Sequence, residues 1–358
     1  MARLVSATAR QIAPSGLEHT DRDAWLALRR GGVGGSDVAS ILGLPGSFGS
    51  PWQVWVDKTQ AFGDLPSTWT EKEEERMRWG HRAERGAAEE FTLRHPGVRL
   101  SRLGMIQHVH EEWMRVNLDW RIHGCELGGP CLGEVKNRIQ FASRDWDETG
   151  DADRVPDAPA AQTQWGLMIT GYGHGHLLVV IGGGEMREYV IKADPELQGI
   201  LLEETRWFWE KHVLTGVAPP VDASERTGQI LARLWDADPD KVITATPAMV
   251  ELRAELDAAK EAAKGPAEEV DRLAHQLQAM LGPAEVALDP VTGHEVVTWK
   301  QNGNVNATRL REEQPGLFAA CSVLTHKPDT KALAEVAPDT YRHYRARVLR
   351  LPTQPKED

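Results

Sequence analysis

Two short stretches restrict the fold of this chain more than anything else in it. Asp119 sits near the end of an apolar run from Trp113 to Ile122, and Glu134-Val135-Lys136 lies inside a second apolar run that starts at Leu132. Between them, His123-Gly124-Cys125-Glu126-Leu127-Gly128-Gly129-Pro130 is rich in turn formers and lets the chain double back. Side chains alternate across a strand, so Glu134 and Lys136 share one face while Val135 points to the other. An antiparallel pairing of the two runs then gathers two carboxylates and an ammonium at one point.

Such a trio suits metal-assisted phosphodiester hydrolysis. Hard oxygen ligands favour Mg²⁺ or Mn²⁺, which need only one or two protein carboxylates beside substrate oxygens. The cation offsets phosphate charge and acidifies a water, and Lys136 would orient that water or help deprotonate it. The plain alternative is a surface hairpin with solvated charges, because an Asp followed by Glu-x-Lys is a short pattern.

Other segments add candidates. Glu84 follows Gly80 in the helical pattern Arg76 to Phe91 and offers a third carboxylate, although on helix grounds alone an exposed helical acid beside Arg82 and Arg85 is the better reading. Gln162 and Gln164 lie on a mostly apolar helix that ends at Gly171, a C-cap candidate. A glutamine aimed at the site would hold a phosphate or a water. Arg29-Arg30-Gly31-Gly32-Val33-Gly34-Gly35-Ser36 is a glycine-rich loop entering a short helix, with Ser36 as N-cap candidate. It lacks the Gly-Lys-Ser/Thr of a nucleotide loop, but a helix start beside arginines is an anion site.

Taken in order, these pieces resemble the lambda exonuclease / YqaJ-like viral recombinase family of the PD-(D/E)xK nuclease superfamily. The likeness runs from Arg29 to Lys192. It rests on Gly34-Gly35-Ser36-Asp37 with Ile41-Leu42-Gly43-Leu44, Ser50-Pro51-Trp52-Gln53-Val54-Trp55 with Lys58, Gly80-x-x-x-Glu84 and Asp119. Glu134-x-Lys136, Ser143-Arg144-Asp145 and Gln162-x-Gln164 with Thr170-Gly171 complete it. The resemblance implies a Mg²⁺-dependent (or Mn²⁺-dependent) exonuclease that degrades linear duplex DNA 5′ to 3′ into 5′-mononucleotides. The 3′ strand left behind would serve a single-strand annealing protein in phage-type recombination. It implies Asp119 and Glu134 as metal ligands, Lys136 as catalytic lysine, Glu84 as the helical acid and Gln164 as the supporting amide. Arg29 or Arg30 with Ser36 would form a 5′-phosphate pocket, and Arg144 a second phosphate contact, although it lies further past the lysine than the pattern expects. It further implies a homo-oligomeric ring, commonly a trimer, encoded by a phage or prophage and acting in the bacterial cytoplasm. The alternatives are a structure- or sequence-directed endonuclease on the same core, or a catalytically silent DNA-binding scaffold subunit.

Composition sets outer bounds. A net charge of −12 argues against a generally basic DNA-coating protein but leaves local basic placement open. No apolar run reaches membrane-spanning length, and no signal-peptide core opens the chain. Cys125, Cys131 and Cys321 do not make a disulfide framework, which fits a reducing compartment. His123, Cys125 and Cys131 are metal-ligand types close together. A closed zinc or iron–sulfur site needs four ligands at recognisable spacing, and no fourth is evident.

The expected fold is α/β, a restriction-endonuclease-like core with a mixed central sheet flanked by helices. Strands are expected at Leu103–Val109, Trp113–Ile122, Leu132–Asn137, His176–Ile181 and Glu185–Ile191, the last two joined by Gly182-Gly183-Gly184. Pro219-Pro220 suggests a boundary between a nuclease domain at 1–216 and an extension at 217–358. In the extension, apolar repeats on either side of Gly265-Pro266 suggest a helical hairpin. A small β-hairpin and a basic tail from Tyr341 to Arg350 follow.

Overall fold

The computed structural model describes residues 3–63, 71–231 and 244–281, and beyond these mainly 286–288, 295–298 and 330–338. The chain divides into two compact units, Met1–Asp236 and Ala237–Asp358. In the first, β1 (Arg3–Leu4), β2 (Ala9–Gln11), α1 (Leu17–Thr20), α2 (Arg22–Arg30), α3 (Gly35–Ile41) and α4 (Pro51–Thr59) lead to the long helix α5 (Glu71–Arg94). Then come β3 (Arg99–Ser101), β4 (Met105–His108), β5 (Arg115–Asn117), β6 (Trp120–His123), β7 (Cys131–Arg138) and α6 (Asp157–Thr170). The unit ends with β8 (His174–Ile181), β9 (Glu185–Lys192), α7 (Pro195–Phe208) and α8 (Glu225–Leu231).

The central sheet has five strands in the order β3-β6-β7-β8-β9. β7 runs parallel to β8, with Glu134 opposite Leu177, and every other pairing is antiparallel. Parallel neighbours need a crossover, and α6 supplies it. The expected mixed sheet flanked by helices is therefore what forms. The even-numbered residues of β7 face α6: Leu132 packs with Trp165, Leu167, Leu177 and Val179. The odd-numbered ones face α5: Cys131 and Val135 pack with Ala87, Phe91 and Leu178. Strands buried on both faces read as continuous apolar runs, as β7 and β8 do.

Two features depart from the expected strands. The run Trp113–Ile122 is not one strand. β5 belongs to a second sheet, β1-β2-β4-β5, while β6 belongs to the central one. The chain passes between the two sheets at Leu118-Asp119, which puts Asp119 at their junction. β3 pairs with β6, with Leu100 opposite Ile122, and was not anticipated because its three residues are too few to show a period.

The boundary also differs. Pro219-Pro220 lies inside the first unit. After it the chain returns, and α8 seats Ile230 against Trp52, Trp55 and Phe208 while the Thr227 and Ser50 hydroxyls bond at 2.8 Å. In the second unit α9 (Pro247–Leu281) is one continuous helix with Pro266 inside it, not a hairpin. Proline removes one hydrogen bond, but glycine before it has no Cβ to clash with the ring, which lessens the bias against helix there. β10 (Val286–Leu288) and β11 (Glu295–Thr298) pair antiparallel as expected. The basic tail lies outside the described residues, apart from Tyr341.

Gly104 joins β3 to β4 with φ +77°, and a Cβ there would stand 2.5 Å from the Ala13 carbonyl oxygen and the Pro14 carbonyl carbon. Both neighbours are backbone, so no rotamer change relieves the clash. Gly104→Ala should cost roughly 2–4 kcal/mol of unfolding free energy. Urea denaturation checks this; a loss under ~0.5 kcal/mol would contradict the geometry.

Candidate active site

Asp119 enters the site because the crossing between sheets leaves its carboxylate beside β7. Its Oδ2 accepts the Val135 N–H at 2.8 Å, between the two polar residues that flank Val135. Lys136 Nζ donates to Glu134 Oε1 at 2.7 Å and to Gln162 Oε1 at 2.6 Å. Gln162 Nε2 in turn donates to the same Glu134 oxygen at 2.7 Å. The Glu134 side chain is 6% exposed and that of Lys136 15%. Strand alternation, one helix and one backbone hydrogen bond thus assemble the whole cluster.

Glu84 reaches the same centre from α5. It is held by Arg102 at 2.8 Å and by His81 at 3.1 Å, and Arg102 lies 4.4 Å over the Trp120 ring. Burial, then the neighbouring charges of Glu134 and Glu84, push the Asp119 carboxyl well above its ordinary value, against the opposing pull of Lys136. Three carboxylates in one sparsely hydrated place repel one another, and a bound cation offsets that repulsion. The donor set therefore fits a hard divalent ion.

The glycine-rich loop meets this cluster from the other side. A cavity of about 130 Å³ is lined by Trp25, Arg29, Gly35, Ser36, Arg115 and Gln162, among others. Arg29 donates to the Ser36 hydroxyl at 3.0 Å and to Asp37 at 3.2 Å. Ser36 is not the N-cap: α3 starts at Gly35 with Gly34 capping, and Asp37 accepts the Gly34 N–H at 2.9 Å. Lys58, with a fully buried side chain, bonds Asp37 at 2.7 Å and the Arg29 carbonyl at 3.1 Å. Burial pushes the Asp37 carboxyl up, but Lys58 and Arg29 outweigh it and hold it at about 2.

Not every expected residue arrives. Gln164 faces away from the carboxylates. Its amide donates to the Lys192 carbonyl and accepts from the Asp194 N–H and Gln198. Two residues make about 200° of helix, so only one amide of the pair faces β7, and it is Gln162. Arg30 and Arg144 do not line the cavity. Arg144 is exposed on the 3-10 turn Gln140–Asp145, whose end is fixed by Arg187 donating to the Ser143 and Trp146 carbonyls.

Arg115 is a cationic cavity residue that was not among the sequence-based candidates. Its signal was indirect. A Cβ on Gly31 would fall 2.6 Å from the Arg115 guanidinium, and one on Gly32 would fall 2.4 Å from the Trp113 carbonyl. The loop is glycine there because a strand and its arginine press against it.

Residues 24–173 match the family described as the YqaJ-like viral recombinase domain. The uncharacterised protein YqaJ of Bacillus subtilis (strain 168) is 26% identical over 310 residues, which is 85% of this chain and 92% of that protein. That span exceeds the length of the first unit, Met1–Asp236, so the likeness reaches into the second. An alkaline exonuclease from Laribacter hongkongensis, solved alone and in complex with dAMP, is 16% identical. It aligns over 55% of this chain and 94% of its own, with a TM-score of 0.42.

Two measurements test the geometry. Gln162→Ala should cost under ~1 kcal/mol of unfolding free energy in urea, while Gln164→Ala should cost ~1–3 kcal/mol. The reverse pattern would reassign the amide. Asp37 is held below its ordinary 3.8 in the folded state, so its contribution is complete above that value and fades as pH falls toward about 2. Asp37→Asn should therefore cost at least ~2 kcal/mol at pH 7, with the difference roughly halved at pH 3 in parallel urea titrations.

Proposed function

We propose that this chain, whose residues 24–173 match the YqaJ-like viral recombinase domain, is a divalent-metal-dependent exonuclease that degrades linear duplex DNA from the 5′ end. The observation that carries the reading is the convergence of Asp119, Glu134, Lys136 and Gln162, with Gln162 also lining the cavity that holds Arg29, Ser36 and Arg115. Asp119 and Glu134 are the residues that would hold Mg²⁺ or Mn²⁺, with Glu84 nearby. A cation held there supplies charge neutralisation at the scissile phosphate and acidifies a water.

The chain's own groups account for the remainder. Gln162 and Glu134 fix the Lys136 ammonium in one position, leaving its remaining donor for the attacking water or a non-bridging phosphate oxygen. Held between two acceptors, Nζ stabilises negative charge as it develops without reorganising. Arg29, Ser36 and Arg115 suit a terminal 5′-phosphate: guanidinium groups bind phosphate oxygens bidentately, and the hydroxyl adds a donor. An occupied end pocket positions the first phosphodiester bond next to the carboxylates, and hydrolysis there releases a 5′-mononucleotide.

Repetition would leave a 3′ single strand for an annealing protein, and a ring of copies around the duplex would keep the enzyme on its track. A local basic pocket reconciles DNA binding with the acidic total. Among the described residues no helix is long and apolar enough to cross a membrane.

Linear duplex DNA with 5′-phosphates and Mg²⁺ should yield acid-soluble nucleotides and 3′ tails, while closed circles stay intact. Lys136→Ala should lower the rate by ~10³-fold. Arg115→Ala should lose ~10-fold or more on phosphorylated ends and little on 5′-hydroxyl ends. Cleavage of circles would make the protein an endonuclease, and full activity in Lys136→Ala would remove the mechanism.

A further inference from the structure

The opposite face of β7 carries a second cluster that the nuclease chemistry does not use. Cys131 opens β7, Cys125 lies in the β6–β7 turn, and His174 and His176 are alternate residues at the start of β8. One ligand atom from each lies within 4.8 Å of the others. Cys125 Sγ is 3.2 Å from His174 Nε2 and 3.4 Å from His176 Nε2. In a tetrahedral site with zinc–sulfur bonds of about 2.3 Å and zinc–nitrogen bonds of about 2.0 Å, neighbouring ligand atoms stand about 3.3–3.8 Å apart. The thiol–imidazole distances are close to such edges.

We infer that Cys125, Cys131, His174 and His176 hold one zinc ion in a closed structural site. A second layer supports this. His176 Nδ1 bonds Glu188 Oε1 at 2.7 Å, and the other Glu188 oxygen bonds His95 Nε2 on α5 at 2.9 Å. A carboxylate on Nδ1 fixes the tautomer that leaves Nε2 bare for a metal and raises its basicity. Cys131, His174 and His176 are buried, and the Phe91 ring packs edge-on to His176 at 5.1 Å. Two sulfurs and two imidazoles favour zinc over the hard ions suited to the carboxylate site, and four protein ligands leave no open position for hydrolysis. A two-iron cluster would need its ligand pairs spread around two metals rather than gathered about one point. His123, the nearest histidine in sequence, bonds Ser101 at 2.9 Å instead.

The ion would staple the turn between β6 and β7 to the start of β8. Asp119 precedes β6 and Glu134 lies three residues beyond Cys131, so the staple fixes the register that brings the carboxylates together.

The test uses the full chain from zinc-supplemented cells, dialysed against zinc-free buffer. Elemental analysis should find about one zinc per chain in the wild type and equally in Asp119→Asn, which disables the carboxylate site. Cys131→Ala and His176→Ala should retain less than about a tenth of that, and Glu188→Gln should bind zinc about 10–100-fold more weakly. Should the ligand variants fail to fold, cobalt exchanged into the wild type provides the answer: a tetrahedral thiolate spectrum is expected. Negligible zinc with an octahedral cobalt spectrum, zinc lost in Asp119→Asn but kept in His176→Ala, iron with labile sulfide, or a Cys125–Cys131 disulfide would each overturn the assignment.

Discussion

One hydrogen bond organises the proposed active site: the Asp119 carboxylate accepts the backbone N–H of Val135. It ties the junction of two sheets to the strand that carries Glu134 and Lys136. A carboxylate accepting an amide proton is a strong, directional contact, and here it sets the distance between acids that would otherwise repel. Burial first, and then that repulsion, raise the affinity of Asp119 for its proton. The structure holds the acids together through packing and backbone geometry.

β7 carries two unlike sets of side chains because it is buried on both faces. Its even-numbered residues bring Glu134 and Lys136 to Gln162 of α6, while its odd-numbered residues bring Cys131 and Val135 toward α5. The two sides differ in ligand hardness. Carboxylates and amide oxygens gather on one, thiols and imidazoles on the other, so a hard cation and zinc would sort without competing. The turn that lets β6 and β7 pair carries a ligand of the second site, which links the order of that turn to the geometry of the first.

The glycine-rich loop shows a different constraint. None of Gly31, Gly32, Gly34 and Gly35 needs a left-handed backbone; Gly31, Gly32 and Gly35 are small because neighbours are close. Arg115 and the Trp113 carbonyl press on the first two, and the Gln162 side chain lies 3.0 Å from where a Cβ of Gly35 would be. The buried Asp37–Lys58 pair then anchors Arg29 at the cavity. A loop that reads as a turn in sequence is a close-packed wall in three dimensions.

By itself the sequence determined whatever depends on period and local chemistry. Alternation put Glu134 and Lys136 on one face, turn residues placed the β6–β7 and β8–β9 connections, and Gly171 ended α6 in the left-handed conformation. Tertiary structure decided what depends on which segments meet. The split of Trp113–Ile122 between two sheets carries no local signal. Nor does the choice of Gln162 over Gln164, since helix phase matters only once a partner strand is known. Ile230 returns across Pro219-Pro220 because an apolar surface of Trp52 and Trp55 waits for it. His174 and His176 lie some fifty residues from Cys125, and only the parallel pairing of β7 with β8 makes them neighbours.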